Sequence, residues 1–189
     1  MKTIELFSER LKLRLIESSD LNAIHALHSL LETDKYNTLG IPDDIKATKK
    51  IITPQITANQ QQDIVNYTFA IEELNTGTFI GLLGFNLGSK KYNNAEVYYK
   101  LNIDYWGKGY ATEALNLILD FGFYNLKLHR IAAGCAIENI GSIKVLEKVG
   151  MTREGHARQT LPLKSGWSDN YEYAILETDE RKTSKLKAN

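Results

Sequence analysis

Tyr105–Phe123 reads YWGKGYATEALNLILDFGF, and the fold turns on how this stretch is interpreted. Two glycines, Gly107 and Gly109, flank Lys108. Beyond them Ala111, Ala114, Leu115, Ile118, Leu119, Phe121 and Gly122 recur with the period of an amphipathic helix that ends near Leu126. The first N–H groups of a helix have no partners inside it, and that end of the macrodipole is positive, so an anion is its natural guest. Glycine lets such a guest approach the backbone closely. The stretch predicts an anion-binding loop that runs straight into a helix.

The sequence around it alternates strands and helices. LKLRLI (Leu11–Ile16) has period two and predicts a strand. ESSDLNAIHALHSLLE follows, with Ser18 or Ser19 as cap and Leu21, Ile24, Leu27 and Leu31 on one helical face. Between Gly40 and Asp63 the pattern fits one broken or two short helices, interrupted by Pro54. NYTFAIEE and FIGLLGFNL flank NTG, where Asn75 and Gly77 suit a hairpin, and NAEVYYKLN adds a third strand of a meander. After the glycine stretch come a small-residue strand, HRIAAGCAI, and a helix, NIGSIKVLEKVG, capped by Asn139 and ended by Gly150. MTREGHARQTL and NYEYAILE predict two last strands, with Pro162, Gly166 and Trp167 in the loop between them. The expected fold class is α/β (α+β): one mixed sheet with helices on its faces, in a single domain over 1–179, followed by a polar tail over 180–189.

Composition narrows the function. The 189 residues are 43% hydrophobic and 24% charged with zero formal net charge, as in an ordinary folded domain. No basic stripe announces nucleic acid, and no apolar run suits a signal segment or a membrane span. One cysteine, Cys135, excludes an intrachain disulfide, and no Cys/His spacing suits a metal. A cytoplasmic address is expected, with no metal, nucleic-acid or membrane partner.

Two phosphate-binding patterns compete for the glycine loop. The G-x-x-x-x-G-K-[ST] spacing is absent. A G-x-G-x-x-G fingerprint fits Gly107 and Gly109, but Thr112 holds the third position and IDYW separates the loop from the strand before it. The better account is a resemblance. YWGKGYATEAL, then the small-residue strand, then ENIGSIKVLEKVGM and REG, resemble the acetyl-CoA-binding half of the GNAT N-acetyltransferases, with the ribosomal-protein N-terminal acetyltransferase branch as the closer match. The resemblance extends from SERLKLRLIESSDL to SGWSDNYEYAIL. Two positions depart from the superfamily pattern. Trp106 stands where a Gln or Arg is usual, and Leu146 stands where many members have a tyrosine that protonates the departing thiolate.

The resemblance implies a mostly antiparallel sheet that splays between EVYYKLN and HRIAAGCAI to admit acetyl-CoA, the acyl donor. Its pyrophosphate would lie on the backbone of Gly107, Lys108, Gly109, Tyr110, Ala111 and Thr112. Leu101, Asn102 and Ile103 match the strand that pairs with the pantetheine arm, with the Leu101 N–H as candidate donor to the thioester carbonyl. Asn139 and Ser142 match the N-x-x-S of the next helix: Asn139 would bond the pantetheine amide and Ser142 would donate a proton near the sulfur, although an N-cap role accounts for Asn139 equally. Lys144 and Lys148 are candidates for the cofactor's phosphates or for a solvated face.

The base is sought on the strand before the loop. Glu96 begins the pantetheine strand and is the candidate that readies the incoming amine, directly or through water. Tyr98 and Tyr99 alternate in direction, so one faces the cleft and the other packs. The four histidines and Cys135 read as structural. The expected reaction is transfer of acetyl to a primary amine by direct attack in a ternary complex, in a monomer or homodimer. The acceptor is either a protein N-terminus of Ala or Ser type or a small amine such as a polyamine. An acidic wall would mark the polyamine, a narrow apolar slot the N-terminus. A non-catalytic acyl-CoA sensor or degenerate partner subunit is the rival that Leu146 keeps open.

Overall fold

Leu11 and Leu13 are fully buried while Lys12 and Arg14 lie on the opposite face, which makes this segment a strand with one face in a core. The same two-residue alternation builds an eight-stranded sheet in a computed structural model that describes residues 4–181. The predicted tail lies outside the described residues from 182 onward. In chain order the elements are β1 (Glu5–Phe7), β2 (Leu11–Leu15), α1 (Leu21–His28), α2 (Leu31–Asp34), α3 (Ile45–Asn59), β3 (Asn66–Glu73), β4 (Phe79–Leu87) and β5 (Asn94–Leu101). There follow α4 (Tyr110–Asp120), β6 (Arg130–Ala136), α5 (Ile140–Lys148), β7 (Thr152–Leu163) and β8 (Gly166–Leu176).

The sheet order is β1-β2-β3-β4-β5-β6-β8-β7, and every neighbouring pair is antiparallel except β5 with β6. One face carries the larger core, where Leu115, Ile118 and Leu119 of α4 and Leu146 of α5 meet Leu13, Phe69, Phe85 and Val97. The other face packs Ile24 and Leu27 of α1 and Ile52 of α3 on Ala70 and Leu82. This is the α+β arrangement with helices on both faces that the sequence predicts.

Four local expectations change. Neither Ser18 nor Ser19 caps the first helix; Asp20 accepts from the Glu17 N–H at 2.8 Å, while Arg14 grips the same carboxylate at 2.6 and 2.8 Å. Leu31 leaves the face it was expected to share, because Leu30 is extended and starts a new helix on which Leu31 is 68% exposed. Residues 45–59 form one continuous helix despite Pro54, held by Asp44 capping the Ala47 N–H at 2.7 Å and by the burial of Ile52. Pro162 and Trp167 are strand residues paired with each other, not loop; proline is tolerated there because β7 is an edge strand. The short β1 carried no readable alternation at all.

One buried polar contact ties α3 to the sheet. The β2 ladder ends at Leu15, and at the edge of β3 beyond it the Thr68 carbonyl accepts from the Ile16 N–H at 3.0 Å and from the Asn59 side chain at 2.9 Å, while the Thr68 N–H donates to the Asn59 side-chain oxygen at 3.0 Å. Asn59 and Thr68 are both buried. Asn59→Ala strands the buried Thr68 N–H, while the Thr68 carbonyl keeps its bond from the Ile16 N–H at 3.0 Å, so urea unfolding should show a loss of about 1–3 kcal/mol; an unchanged midpoint would remove this contact from the account.

Candidate active site

β5 and β6 pair only at Asn94–Arg130, Ala95–Ile131 and Glu96–Ala132. Beyond Glu96 each strand keeps its other neighbour, β5 pairing with β4 to Leu101 and β6 with β8 to Ala136, so the sheet opens between them. Backbone parity decides what faces the opening. The Asn102 N–H donates to the Ile80 carbonyl and Asn94 accepts from the Gly88 N–H, so the even residues of β5 turn their backbone groups toward β4. The odd residues, Val97, Tyr99 and Leu101, therefore turn theirs toward β6 and, past Glu96, into the split. The Leu101 carbonyl is taken by the Trp106 indole N–H at 2.8 Å, which gives Trp106 a local structural task.

Of the residues matched to the pantetheine strand, Leu101 thus faces the split through its backbone. Asn102 does not: its N–H goes to Ile80 and its side-chain oxygen accepts from the Asp104 N–H at 3.1 Å. Ile103 begins a short 3-10 turn and is exposed.

The glycine loop has the geometry of an open helix N-terminus. Gly107 and Gly109 hold φ of 71° and 84°, values that L side chains rarely adopt, and Gly109 is the N-cap of α4. No atom lies within 4 Å of a Cβ built on Gly107, and only Arg10 lies that near at Gly109. The N–H groups of Tyr110, Ala111 and Thr112, in the first helical turn, have no intrahelical acceptors. Tyr110 turns its hydroxyl to Glu73 at 2.8 Å. Lys108 is exposed, while its carbonyl accepts from Arg10 at 3.1 Å.

Arg10 is a residue that sequence reasoning missed. It donates to Glu113 through its N–H at 2.9 Å and its Nε at 2.8 Å, and its guanidinium lies 4.4 Å from the centroid of the Tyr110 ring. Burial pushes the Glu113 carboxyl up, but hydrogen bonds from Ser8 and Arg10 outweigh it and hold the group below the usual carboxylate range. The loop is thereby fastened to the β1–β2 turn. No local pattern announces a contact that spans about a hundred residues.

Across the split, Asn139 caps α5 by accepting from the Ser142 N–H at 3.1 Å, leaving its amide nitrogen without a protein partner among the described residues. The Ser142 hydroxyl lies 2.9 Å from the Tyr99 hydroxyl. Burial pushes the Tyr99 phenol well above its usual value. Cys135 is buried on β6 with its thiol pushed up to about 11, chiefly by burial. Leu146, 1% exposed, is core.

Glu96 is the last residue paired across β5 and β6, and it is exposed. By alternation it shares a face with Tyr98 and Lys100, and that face is the one carrying α1, because Lys100 Nζ lies 3.2 Å from His28 Nδ1. Tyr99 and Ser142 lie on the other. Burial pushes Lys100 down to about 8, partly offset by Asp34. Burial, then the charges of Lys100 and His25, push His28 down to about 4. Asp34 also lines a cavity of ≈ 340 Å³ whose wall mixes Asn37, Thr38 and Lys164 with the apolar Ile41, Pro162 and Leu163. Asp34 Oδ1 is buried without a hydrogen-bond partner among the described residues. The wall is neither purely acidic nor an apolar slot.

Among the described residues no group of three or more His, Cys, Asp or Glu could hold a metal ion, and no helix is long and apolar enough to cross a membrane. The acetyltransferase (GNAT) domain model matches residues 10–152. The chain is similar to the uncharacterized N-acetyltransferase YnaD of Bacillus subtilis, 32% identical over 93% of this chain and 99% of that protein. A crystal structure of a GNAT-family acetyltransferase from Bacillus anthracis superposes with a TM-score of 0.80 at 32% identity, covering 92% of this chain and 99% of that one. The spermidine N-acetyltransferase of Vibrio cholerae, crystallised with CoA and spermine, superposes at 0.79 with 25% identity, covering 90% and 97%.

His28 gives the site a pH signature. Its folded value near 4 lies below its ordinary 6.5, so the unfolded chain binds the extra proton first; the contribution is intact above 6.5 and is lost as pH falls toward 4. Lys100 is protonated in both states over that window and adds no slope. His28→Asn should therefore narrow the gap in urea midpoint between about pH 7 and about pH 5; an equal gap in both proteins contradicts the assignment.

Proposed function

This chain belongs to the GNAT acetyltransferase family, and we propose that it moves acetyl from acetyl-CoA to a primary amine by direct attack in a ternary complex. One observation carries the reading. The sheet splits at the Glu96–Ala132 pair with a carboxylate on the α1 face and a pair of hydroxyls on the α5 face. An amine entering from one side and a thiol leaving on the other would each meet the group it needs.

The donor fits these residues. Val97, Tyr99 and Leu101 offer unpaired backbone groups along the split for the pantetheine arm, with the Leu101 N–H a candidate donor to the thioester carbonyl. The first turn of α4 offers its N–H groups to the pyrophosphate, and Lys108 adds an exposed positive charge. The free amide nitrogen of Asn139 suits a pantetheine carbonyl. Acetyl-CoA brings the activated acyl group; the chain positions it, keeps the amine neutral and stabilises the leaving sulfur. Glu96 would take the ammonium proton, directly or through water, and Ser142 would face the sulfur.

The acceptor reading stays on amines. The spermine complex of the Vibrio cholerae neighbour supports a small polyamine, and the similarity to a putative ribosomal N-acetyltransferase of Bacillus subtilis over about half of this chain supports a protein N-terminus beginning with Ala or Ser.

The test is to mix the protein with acetyl-CoA and a panel containing spermidine and peptides beginning with Ala or Ser, following free thiol. Acceptor-dependent thiol release supports the enzyme, and tight binding without release supports the sensor. Gly109→Val should weaken acetyl-CoA binding by about tenfold or more, because φ near 84° disfavours a branched side chain and the methyls crowd the N–H groups. Glu96→Gln should lower kcat by about a hundred- to ten-thousand-fold at neutral pH, partly recovered in alkaline buffer as more amine arrives neutral, with acetyl-CoA affinity held. Wild-type kcat in that variant would leave Glu96 a surface charge.

A further inference from the structure

Leu146 cannot donate a hydrogen bond, and its burial in the core leaves no route by which it could serve the sulfur indirectly. The group that stands beside Ser142 instead comes from the other side of the split. Tyr99 is an odd residue of β5, so both its backbone and its ring lie on the donor side, and its hydroxyl meets Ser142 at 2.9 Å. Among the described residues the backbone acceptor near that phenol is the Ser142 carbonyl at 3.5 Å, too long to compete. Either hydroxyl can donate in this contact, and because a phenol is the stronger donor and an alcohol oxygen the better acceptor, the favoured arrangement has Tyr99 donating and Ser142 Oγ accepting. Once its oxygen is occupied in this way, the hydrogen of Ser142 is left for a sulfur: the Cys135 thiol of β6, with which Ser142 also hydrogen-bonds, holds it in the free protein, and a sulfur arriving in the split competes for it.

We propose that Tyr99 is a positioning residue that fixes the Ser142 hydroxyl as a hydrogen-bond donor toward the departing sulfur, in the role for which Leu146 offers nothing. The inference rests on the acetyl-transfer reading above. In the step it serves, the amine nitrogen forms the new N–C bond and its surplus proton goes to Glu96 or water. The C–S bond breaks with its electron pair on sulfur, the developing thiolate accepts the Ser142 hydrogen bond, and the thiolate takes its proton from solvent. Tyr99 keeps its own proton throughout. Burial favours that state, because it raises the phenol and so leaves it a donor across the working range. The other titratable groups near the pair are the Cys135 thiol on β6 and, behind it, Glu147 on α5 with Tyr173 of β8 donating to it at 3.2 Å.

The experiment compares free CoA with acetyl-CoA as ligands, since only the first has an ionisable sulfur. In the wild-type protein the preference for CoA over acetyl-CoA, measured by calorimetry, should grow as pH rises from about 7 to about 9.5 and the thiol ionises. Tyr99→Phe should flatten that growth while leaving acetyl-CoA affinity and melting temperature near wild type. It should also lower kcat by about ten- to a hundredfold, the worth of one hydrogen bond to a charged group. Ser142→Ala should do the same, and the double variant should be no worse than Ser142→Ala alone, because the two hydroxyls act as a unit. A Tyr99→Phe protein that melts earlier but keeps the pH-dependent preference and kcat overturns the positioning role and leaves Tyr99 a packing residue. A wild-type protein that binds neither ligand overturns both readings.

Discussion

The divergence of β5 and β6 after three residue pairs is the constraint on which everything else here depends. A sheet of antiparallel neighbours cannot admit a ligand between its strands without breaking a ladder, and each unpaired backbone group has a desolvation cost unless a partner replaces the lost strand. Here the single parallel pair is the one that opens. Each of its strands remains anchored by an antiparallel neighbour, β4 for β5 and β8 for β6, so the opening costs neither strand its place. A slot lined by N–H and C=O groups then appears in the middle of a rigid sheet, where an extended amide-bearing arm can pair with it as a strand would.

The chemistry follows from strand periodicity. Successive residues of β5 point to opposite faces, so Glu96 and Tyr99, three apart, lie on opposite sides of the same slot. Helix α5, entered directly from β6, lays its first turn over the donor face and brings Ser142 to Tyr99; α1 lays its C-terminal turn over the other face and brings His28 to Lys100. The glycine loop proposed for the pyrophosphate is fixed separately. Arg10 and Glu113 pair with each other beside it, so the positive charge that would be left to a phosphate there is the dipole of α4 and Lys108.

Much of this was legible in the sequence, for identifiable reasons. Glycines at positions of positive φ, the Asn139 cap and the apolar stripe of α4 are local devices, and local devices leave local signatures. The order of motifs gave the family and therefore the split. What could not be read depends on pairing at a distance. Arg10 of the β1–β2 turn finds Glu113 of α4, Asn59 finds Thr68 across a loop, and Tyr99 finds Ser142 across the split, none with a spacing rule to betray it. Alternation did say that one of Tyr98 and Tyr99 faces the cleft, but only the contact with α5 identifies which. The helix through Pro54 was obscured because its stability comes from a cap and a buried face that outweigh one missing N–H. The last hairpin was cut short because Pro162 signals a break in a central strand, and only the sheet order reveals that β7 is an edge.

The central claim is that the β5 edge of the split is where the acyl carrier lies, and residue-resolved amide hydrogen exchange tests it directly. Tyr98 and Lys100, bonded to β4, should be protected with or without acetyl-CoA. Tyr99 and Leu101, whose N–H groups face the split, should exchange quickly in the free protein and become protected when acetyl-CoA is added. Saturating acetyl-CoA that leaves Tyr99 and Leu101 exchanging as before, while protecting amides elsewhere, would contradict the account.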